Sequence, residues 1–69
     1  MNVEMTGDQI KRIREALGLT QSKFATWLGV SLGSLQEWEQ GTHPPTKRAI
    51  RLLQKAEASA NRLKDRLGK

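Results

Sequence analysis

Apolar residues recur along most of the chain at steps of three and four, the spacing that places side chains on one face of an α-helix. The first stripe consists of Ile10, Ile13 and Leu17. Thr6 and Gln9 precede it with the spacing of a capping box, in which each side chain bonds the backbone amide of the other residue. Gly18 follows the stripe, and glycine readily adopts the left-handed conformation that ends many helices. The pattern therefore predicts a helix over about residues 7–17.

Residues 20–41 contain two shorter apolar patterns, separated by a tight turn at residues 28–31. They predict one helix over about residues 21–28 and a second helix that begins after the cap Ser31 and stops at Gly41. The buried side of this pair is predicted to comprise Phe24, Ala25, Leu28, Val30, Leu35 and Trp38. The opposite side of the second helix carries Ser31, Leu32, Gly33, Gln36, Glu37 and Gln40. These mostly small or amide-bearing side chains bury little area, so the second helix is predicted to display them for contact.

A long helical stretch is predicted after Pro44 and Pro45, which cannot continue a helix. Thr46 can cap this stretch, and no Gly or Pro interrupts residues 47–67. The pattern leaves open whether the stretch is one helix or two. Its apolar seam has the spacing of a short coiled coil and comprises Ala49, Leu53, Ala56, Ala60, Leu63 and Leu67. Two interpretations follow, a dimerisation seam or an amphipathic helix that docks on its own domain.

Together these elements predict an all-α fold, a compact bundle of four to five short helices. The chain has 69 residues, which allows one domain and no second core. Residues 1–5 are predicted to be a flexible N-terminus and residues 6–56 the folded domain. Residues 57–69 are predicted to form a basic helical extension, a candidate dimerisation segment.

The composition argues against several classes of function. With no cysteine and a single histidine, His43, the chain offers no set of zinc ligands, and we expect no metal and no cofactor. No nucleophile, base and orienting group occur together, so we expect no enzyme. No segment approaches the roughly 18 apolar residues of a membrane span, and the first residues lack the pattern of a signal peptide. The expectation is a soluble cytoplasmic protein with no membrane partner.

Positive charge is concentrated near the end of the chain, whose formal net charge is +5. Residues 1–46 hold four basic and five acidic side chains, whereas residues 47–69 hold eight basic and two acidic side chains. A basic patch of this kind attracts polyanions, nucleic acid first. The same charges also fit a solvated helix face, so charge alone leaves both interpretations open.

The second and third predicted helices resemble the helix-turn-helix of the lambda-repressor-like, or Xre, family of DNA-binding regulators. The resemblance rests on Thr20-Gln21, Phe24-Ala25, Leu28-Gly29-Val30-Ser31, Leu35, Trp38-Glu39 and Gly41. The wider pattern IRxxxGLTQxxFAxxLGVSxxSLQxWEQGxxxP is similar to that of small antitoxins of the host-inhibition-of-growth type. This resemblance implies a lambda-repressor-like bundle whose third helix enters the major groove of DNA while the second crosses the backbone.

Resemblance and side-chain chemistry together predict the DNA contacts. The base-contacting residues are predicted to be Ser31, Leu32, Gly33, Gln36 and Glu37. Gln36 can pair with adenine, and Leu32 can meet a thymine methyl group. The third helix carries no Lys or Arg, so most phosphate contacts are predicted elsewhere, at Gln21, Lys23, Lys11, Lys47, Arg48 and Arg51. Glu37 would be repelled by phosphates unless Lys23 or a base amine lies beside it.

Other residues are interpreted as structural. By the family match, Arg14 and Glu39 are predicted to form a partly buried ion pair. Trp27 falls off the buried face and is predicted to pack against the C-terminal seam, the alternative being an exposed anchor for a partner protein. His43 is predicted to be an exposed loop residue.

The combined prediction is a transcriptional repressor that binds an inverted-repeat operator in double-stranded DNA as a homodimer. By resemblance it would be an antitoxin that represses its own operon and binds a small ribonuclease-like toxin. One alternative is a stand-alone or phage-type repressor with no toxin partner. The other is a helical module that chiefly binds another protein.

Overall fold

The computed structural model describes the backbone of residues 5–67 and the side chains of residues 5–63. Within this part the chain forms four α-helices and no strand. The helices are α1 (Gly7–Ala16), α2 (Gln21–Leu28), α3 (Leu32–Gln40) and α4 (Lys47–Leu67). The predicted all-α fold is confirmed, and the stretch after Thr46 is one helix rather than two. None of these helices is long and apolar enough to cross a membrane.

Each of the four helices begins with the same local arrangement. A Thr or Ser hydroxyl accepts a hydrogen bond from the backbone amide three residues later, at 3.1 to 3.2 Å. The capping residues are Thr6, Thr20, Ser31 and Thr46. The Thr6 amide also donates to Gln9 Oε1 at 2.9 Å, which completes the predicted capping box. These bonds satisfy amides that the first turn of a helix leaves without partners.

An apolar residue precedes the cap of each of the first three helices. These residues, Met5, Leu19 and Val30, are partly buried and pack against the core. Each stands at the position of a hydrophobic staple, which packs against the helix and fixes the direction from which the chain enters it. Met5, the last residue of the predicted flexible N-terminus, thus contacts the core, and residues 1–4 lie outside the described part.

The core lies where the first three helices meet α4. Its buried side chains are Ile10, Ile13, Phe24, Ala25, Leu28, Leu35, Trp38, Ala49, Leu53 and Ala56. Phe24, Leu35 and Leu53 come from three different helices and are fully buried. The predicted buried side of residues 20–41 is thus confirmed, with Val30 buried only in part.

The apolar seam of α4 is occupied within the single chain. Ala49, Leu53, Ala56 and Ala60 are all buried, so they are not free to pair with a second copy. Leu63 is 39% exposed, and the side chain of Leu67 lies outside the described part. The helix therefore docks on its own domain, and the dimerisation interpretation is wrong for those four positions. The predicted boundary between residues 56 and 57 falls inside the uninterrupted α4.

Gly7 allows α1 to begin directly against the end of α3. A Cβ atom on this residue would lie 2.7 Å from the carbonyl oxygen of Trp38 and still closer to that of Glu39. A larger side chain would force the two helices apart. α1 and α2 each pack against both α3 and α4, an arrangement that leaves one side of α3 uncovered.

Candidate nucleic-acid interface

The turn between α2 and α3 is closed by backbone geometry. Gly29 adopts the left-handed conformation with φ of 75°, which residues with a Cβ atom avoid. The Val30 amide then donates to the Ala25 carbonyl at 2.9 Å. Because Val30 also packs against the core, α3 is held in a defined position across the end of α2.

The uncovered side of α3 begins at its first turn. Leu32 is 39% exposed, and Gly33 and Glu37 are also exposed. A Cβ atom on Gly33 would meet no atom within 4 Å, so the backbone there is open to close approach. Gln36 is half-buried. The structure thus brings the predicted base-contacting residues together on one surface, here called the reading face, formed by Ser31, Leu32, Gly33, Gln36 and Glu37.

Ser31 has a structural task on this face. Its Oγ accepts from the Ser34 amide at 3.2 Å, and its hydroxyl donates to Ser34 Oγ at 2.9 Å. Without rearrangement Ser31 can accept a hydrogen bond from a base amine through a remaining lone pair.

Gln21 at the start of α2 reaches across to α3. Its Nε2 donates to Glu39 Oε1 at 3.1 Å, and Gln36 Nε2 donates to Gln21 Oε1 at 3.5 Å. The residue predicted to contact a phosphate and the residue predicted to read adenine are therefore neighbours. Because the bond between them is long and weak, Gln36 can exchange it for the edge of a base at small cost.

Beneath the two glutamines lies the ion pair of Arg14 and Glu39. Arg14 Nε donates to Glu39 Oε2 at 2.8 Å and Nη2 donates to Glu39 Oε1 at 3.3 Å, a bidentate arrangement. Arg14 Nη1 also donates to the Leu19 carbonyl at 3.0 Å. Only 5% of the Glu39 side chain is exposed. The pair joins α1 to α3, and Gln21 connects it to the reading face.

The carboxylate of Glu37 has a partner that the sequence did not indicate. Its Oε2 lies 3.0 Å from His43 Nδ1, and both side chains are largely exposed. The partner is thus His43 rather than Lys23. The predicted exposure of His43 is confirmed, but this histidine lies at the edge of the reading face.

A family model described as a helix-turn-helix domain matches residues 6–67, a range that includes all four helices. The chain belongs to the helix-turn-helix domain family. A comparison with curated proteins gives no match. Membership identifies α2, the turn and α3 as the helix-turn-helix motif and indicates a DNA-binding regulator.

In this helix-turn-helix domain the basic side chains lie mainly outside the motif. Lys47, Arg48 and Arg51 are exposed on the first two turns of α4, on the side opposite the buried Ala49 and Leu53. Lys11 on α1 and Lys23 on α2 are exposed as well.

Lys55 continues the basic side of α4 and was missed by reasoning from sequence. It lies four residues after Arg51 and seven after Arg48, a spacing that keeps all three on one face of the helix. That spacing was the available signal. Lys55 is exposed, so it extends the basic surface by a further turn.

The side chain of Trp27 is 48% exposed, and its ring centroid lies 6.1 Å from that of Phe24. The buried face of α2 is formed by Phe24, Ala25 and Leu28, and Trp27 projects from the edge of that face. This exposure favours the alternative of an exposed anchor for a partner protein, and both interpretations of Trp27 stay predictions.

Proposed function

We propose that this helix-turn-helix domain is a sequence-specific transcriptional repressor of the lambda-repressor-like, or Xre, type. α3 enters the major groove, α2 crosses the phosphate backbone, and two copies bind an inverted repeat with half-sites about one helical turn apart. The observation that carries the proposal is the reading face itself, which is uncovered and held on α2 by a closed turn.

Base recognition in this proposal comes from short polar and apolar groups. Gln36 pairs with the N6 and N7 edge of adenine, and Leu32 contacts a thymine methyl group. Ser31 accepts from a base amine, and Gly33 lets the backbone of α3 approach the groove wall. Glu37 accepts from cytosine N4 through carboxylate lone pairs that its contact with His43 leaves free.

Affinity in this proposal comes mainly from other elements, because α3 contains no Lys or Arg. Lys47, Arg48 and Arg51 on α4 neutralise phosphates, together with Lys11 and Lys23. Gln21 adds a phosphate contact at the start of α2 through the second N–H of its amide, since only one N–H donates to Glu39. In this proposal α3 recognises the bases, and α4 supplies most of the electrostatic attraction to the phosphates.

The test is selection of bound sites from random duplex DNA with the full chain. We expect enrichment of one inverted repeat whose half-sites are about 10 base pairs apart. Enrichment of no sequence, with equal weak binding to every duplex, would contradict the proposal.

A second proposal adds a protein partner. The pattern shared with host-inhibition-of-growth antitoxins favours an autoregulating antitoxin that binds a small ribonuclease-like toxin. The half-exposed Trp27 supports it, because a large exposed aromatic side chain suits a protein contact and stands outside the reading face.

Paired variants test this second proposal with the product of the neighbouring reading frame. Trp27→Ala is expected to prevent complex formation and to leave DNA binding intact. Leu32→Ala is expected to weaken DNA binding and to leave complex formation intact. No complex between the wild-type chain and that product would leave the repressor without a toxin partner. A wild-type chain that binds such a protein but no DNA sequence would instead favour the interaction module.

A further inference from the structure

The loop after α3 folds back onto Glu37. Gly41 has φ of 82°, its amide donates to the Trp38 carbonyl at 3.2 Å, and the Thr42 amide donates to the Glu37 carbonyl at 3.1 Å. This pair of bonds forms a Schellman motif, which sets the direction of the chain after the helix. Thr42 Oγ1 also donates to the Glu37 carbonyl, at 3.2 Å.

His43 is positioned by its neighbours on both sides. The Schellman motif precedes it, and Pro44 follows and restricts it to extended backbone conformations. Its Nδ1 consequently lies 3.0 Å from Glu37 Oε2. The contact joins two exposed side chains whose backbones are both fixed, so less conformational entropy opposes it than opposes an ordinary surface ion pair.

Glu37 is the acidic side chain that the reading face presents to DNA, since Glu39 is turned inward to Arg14. A carboxylate near phosphates opposes binding unless a positive charge compensates it. Protonated His43 supplies that charge and neutral His43 does not. Histidine is the side chain that ordinarily changes its charge between about pH 5 and pH 8.

The other charged side chains of the helices are carboxylates, amines and guanidinium groups, and His43 is the only histidine in the chain. They include Asp8 and Lys11 on α1, Lys23 on α2, Glu39 on α3, and Lys47 and Arg48 on α4. Among the described residues, Glu37 and His43 form a salt bridge only with each other. A pH-dependent change in DNA binding that Glu37→Gln abolishes is therefore assigned to this pair.

We propose that His43 is a positioning residue of the reading face, which orients Glu37 and, when protonated, neutralises it, so that specific DNA binding strengthens as the pH falls. The inference rests on the proposed function. The sign follows from the phosphates, because a positive charge at position 43 attracts them and a neutral imidazole does not. Affinity is therefore greatest below the range in which histidine titrates, and it is lost as the pH rises through that range.

The experiment measures the affinity of the full chain for its selected duplex at fixed ionic strength across this pH range. For the wild type we expect affinity to fall about three- to tenfold between pH 5 and pH 8. Glu37→Gln should bind with little pH dependence, His43→Gln should keep the weak affinity of high pH, and His43→Lys should keep the strong affinity of low pH. Equal pH profiles for the wild type and Glu37→Gln would overturn the proposal.

A second measurement tests the contact between Glu37 and His43 in the absence of DNA. His43 is the only histidine in the chain, so its ring signals in an NMR spectrum are unambiguous. They should shift in Glu37→Gln and remain unchanged in the control Glu15→Gln, and a spectrum unaffected by Glu37→Gln would refute the contact. Failure of the chain to select any DNA sequence would instead overturn the proposed function, so the two failures are distinguishable.

Discussion

Two glycines of this domain, Gly33 and Gly7, are expected to respond in opposite ways to substitution by alanine. At Gly33 a Cβ atom would meet nothing within 4 Å, and the residue lies within α3. Gly33→Ala should therefore raise the free energy of unfolding by up to about 1 kcal/mol, because alanine has the higher helix propensity. If the groove wall approaches this backbone, the same variant should bind its operator more weakly. Urea denaturation and DNA titration measure the two effects, and unchanged DNA binding would show that DNA does not approach Gly33 closely.

The same substitution should have the opposite effect on stability at Gly7. Here the added methyl group would collide with the carbonyl oxygens of Trp38 and Glu39. Gly7→Ala should lower the free energy of unfolding by about 1–3 kcal/mol, the usual cost of overpacking. Gly33→Ala serves as the matched control in the same urea experiment. Equal stability of Gly7→Ala and the wild type would mean that α1 does not begin against α3.

The ion pair beneath the reading face is expected to contribute to stability. Glu39→Ala leaves the guanidinium of Arg14 without its carboxylate, at a cost of about 3 kcal/mol in the free energy of unfolding. Arg14→Ala combined with Glu39→Ala should cost less than the sum of the single variants, because neither charge is then left unpaired. Thermal and urea unfolding of the three variants checks this, and additive effects would contradict the pairing.

Among the helices, DNA recognition is proposed to be divided between α3, which contacts bases, and α4, which contacts phosphates. Gln36→Ala should weaken binding to the selected site by about 1–3 kcal/mol and leave nonspecific binding nearly unchanged. Lys47→Ala should weaken specific and nonspecific binding alike, and it should reduce the slope of log affinity against log salt by about 1. Binding titrations with selected and scrambled duplexes measure the difference. Identical behaviour of the two variants would contradict the proposal that α3 recognises bases while α4 contacts phosphates.

Local signals made the helices predictable. The Thr and Ser caps and the glycines that end these helices act on neighbouring residues. The bounds of α2 and α3 therefore follow from the sequence alone. The position of Met5 also carried such a signal, since it precedes the cap Thr6 as a staple does. What escaped prediction depends on tertiary contacts, such as the approach of Gly7 to α3.

The sequence was enough to predict which residues form the candidate site, but not which side chains contact one another there. The spacing of residues on α3 is enough to group Leu32, Gly33, Gln36 and Glu37 on one side. The partner of Glu37 depends on how the loop after Gly41 folds back, which no periodicity encodes. The seam of α4 illustrates the same limit, because heptad spacing does not distinguish a second copy from the core of the same chain.

For the whole molecule, burial of the seam changes the expected geometry of a dimer. Ala49, Leu53, Ala56 and Ala60 serve the core of the single domain, and the basic side chains described on the first turns of α4 lie on its opposite side. The seam is therefore unsuited to set the distance between half-sites. The basic surface remains available to phosphates in each copy.

In the proposed function this domain binds one DNA sequence through α3 and draws its affinity from basic side chains on other helices. The affinity of the full chain for the selected and scrambled duplexes, measured as salt is raised, tests both statements together. We expect a preference for the selected duplex of at least about a thousandfold. We also expect a steep loss of affinity with salt, of about 0.9 in log–log slope for each phosphate neutralised. Weak binding that is equal for both duplexes at every salt concentration would contradict the proposed function.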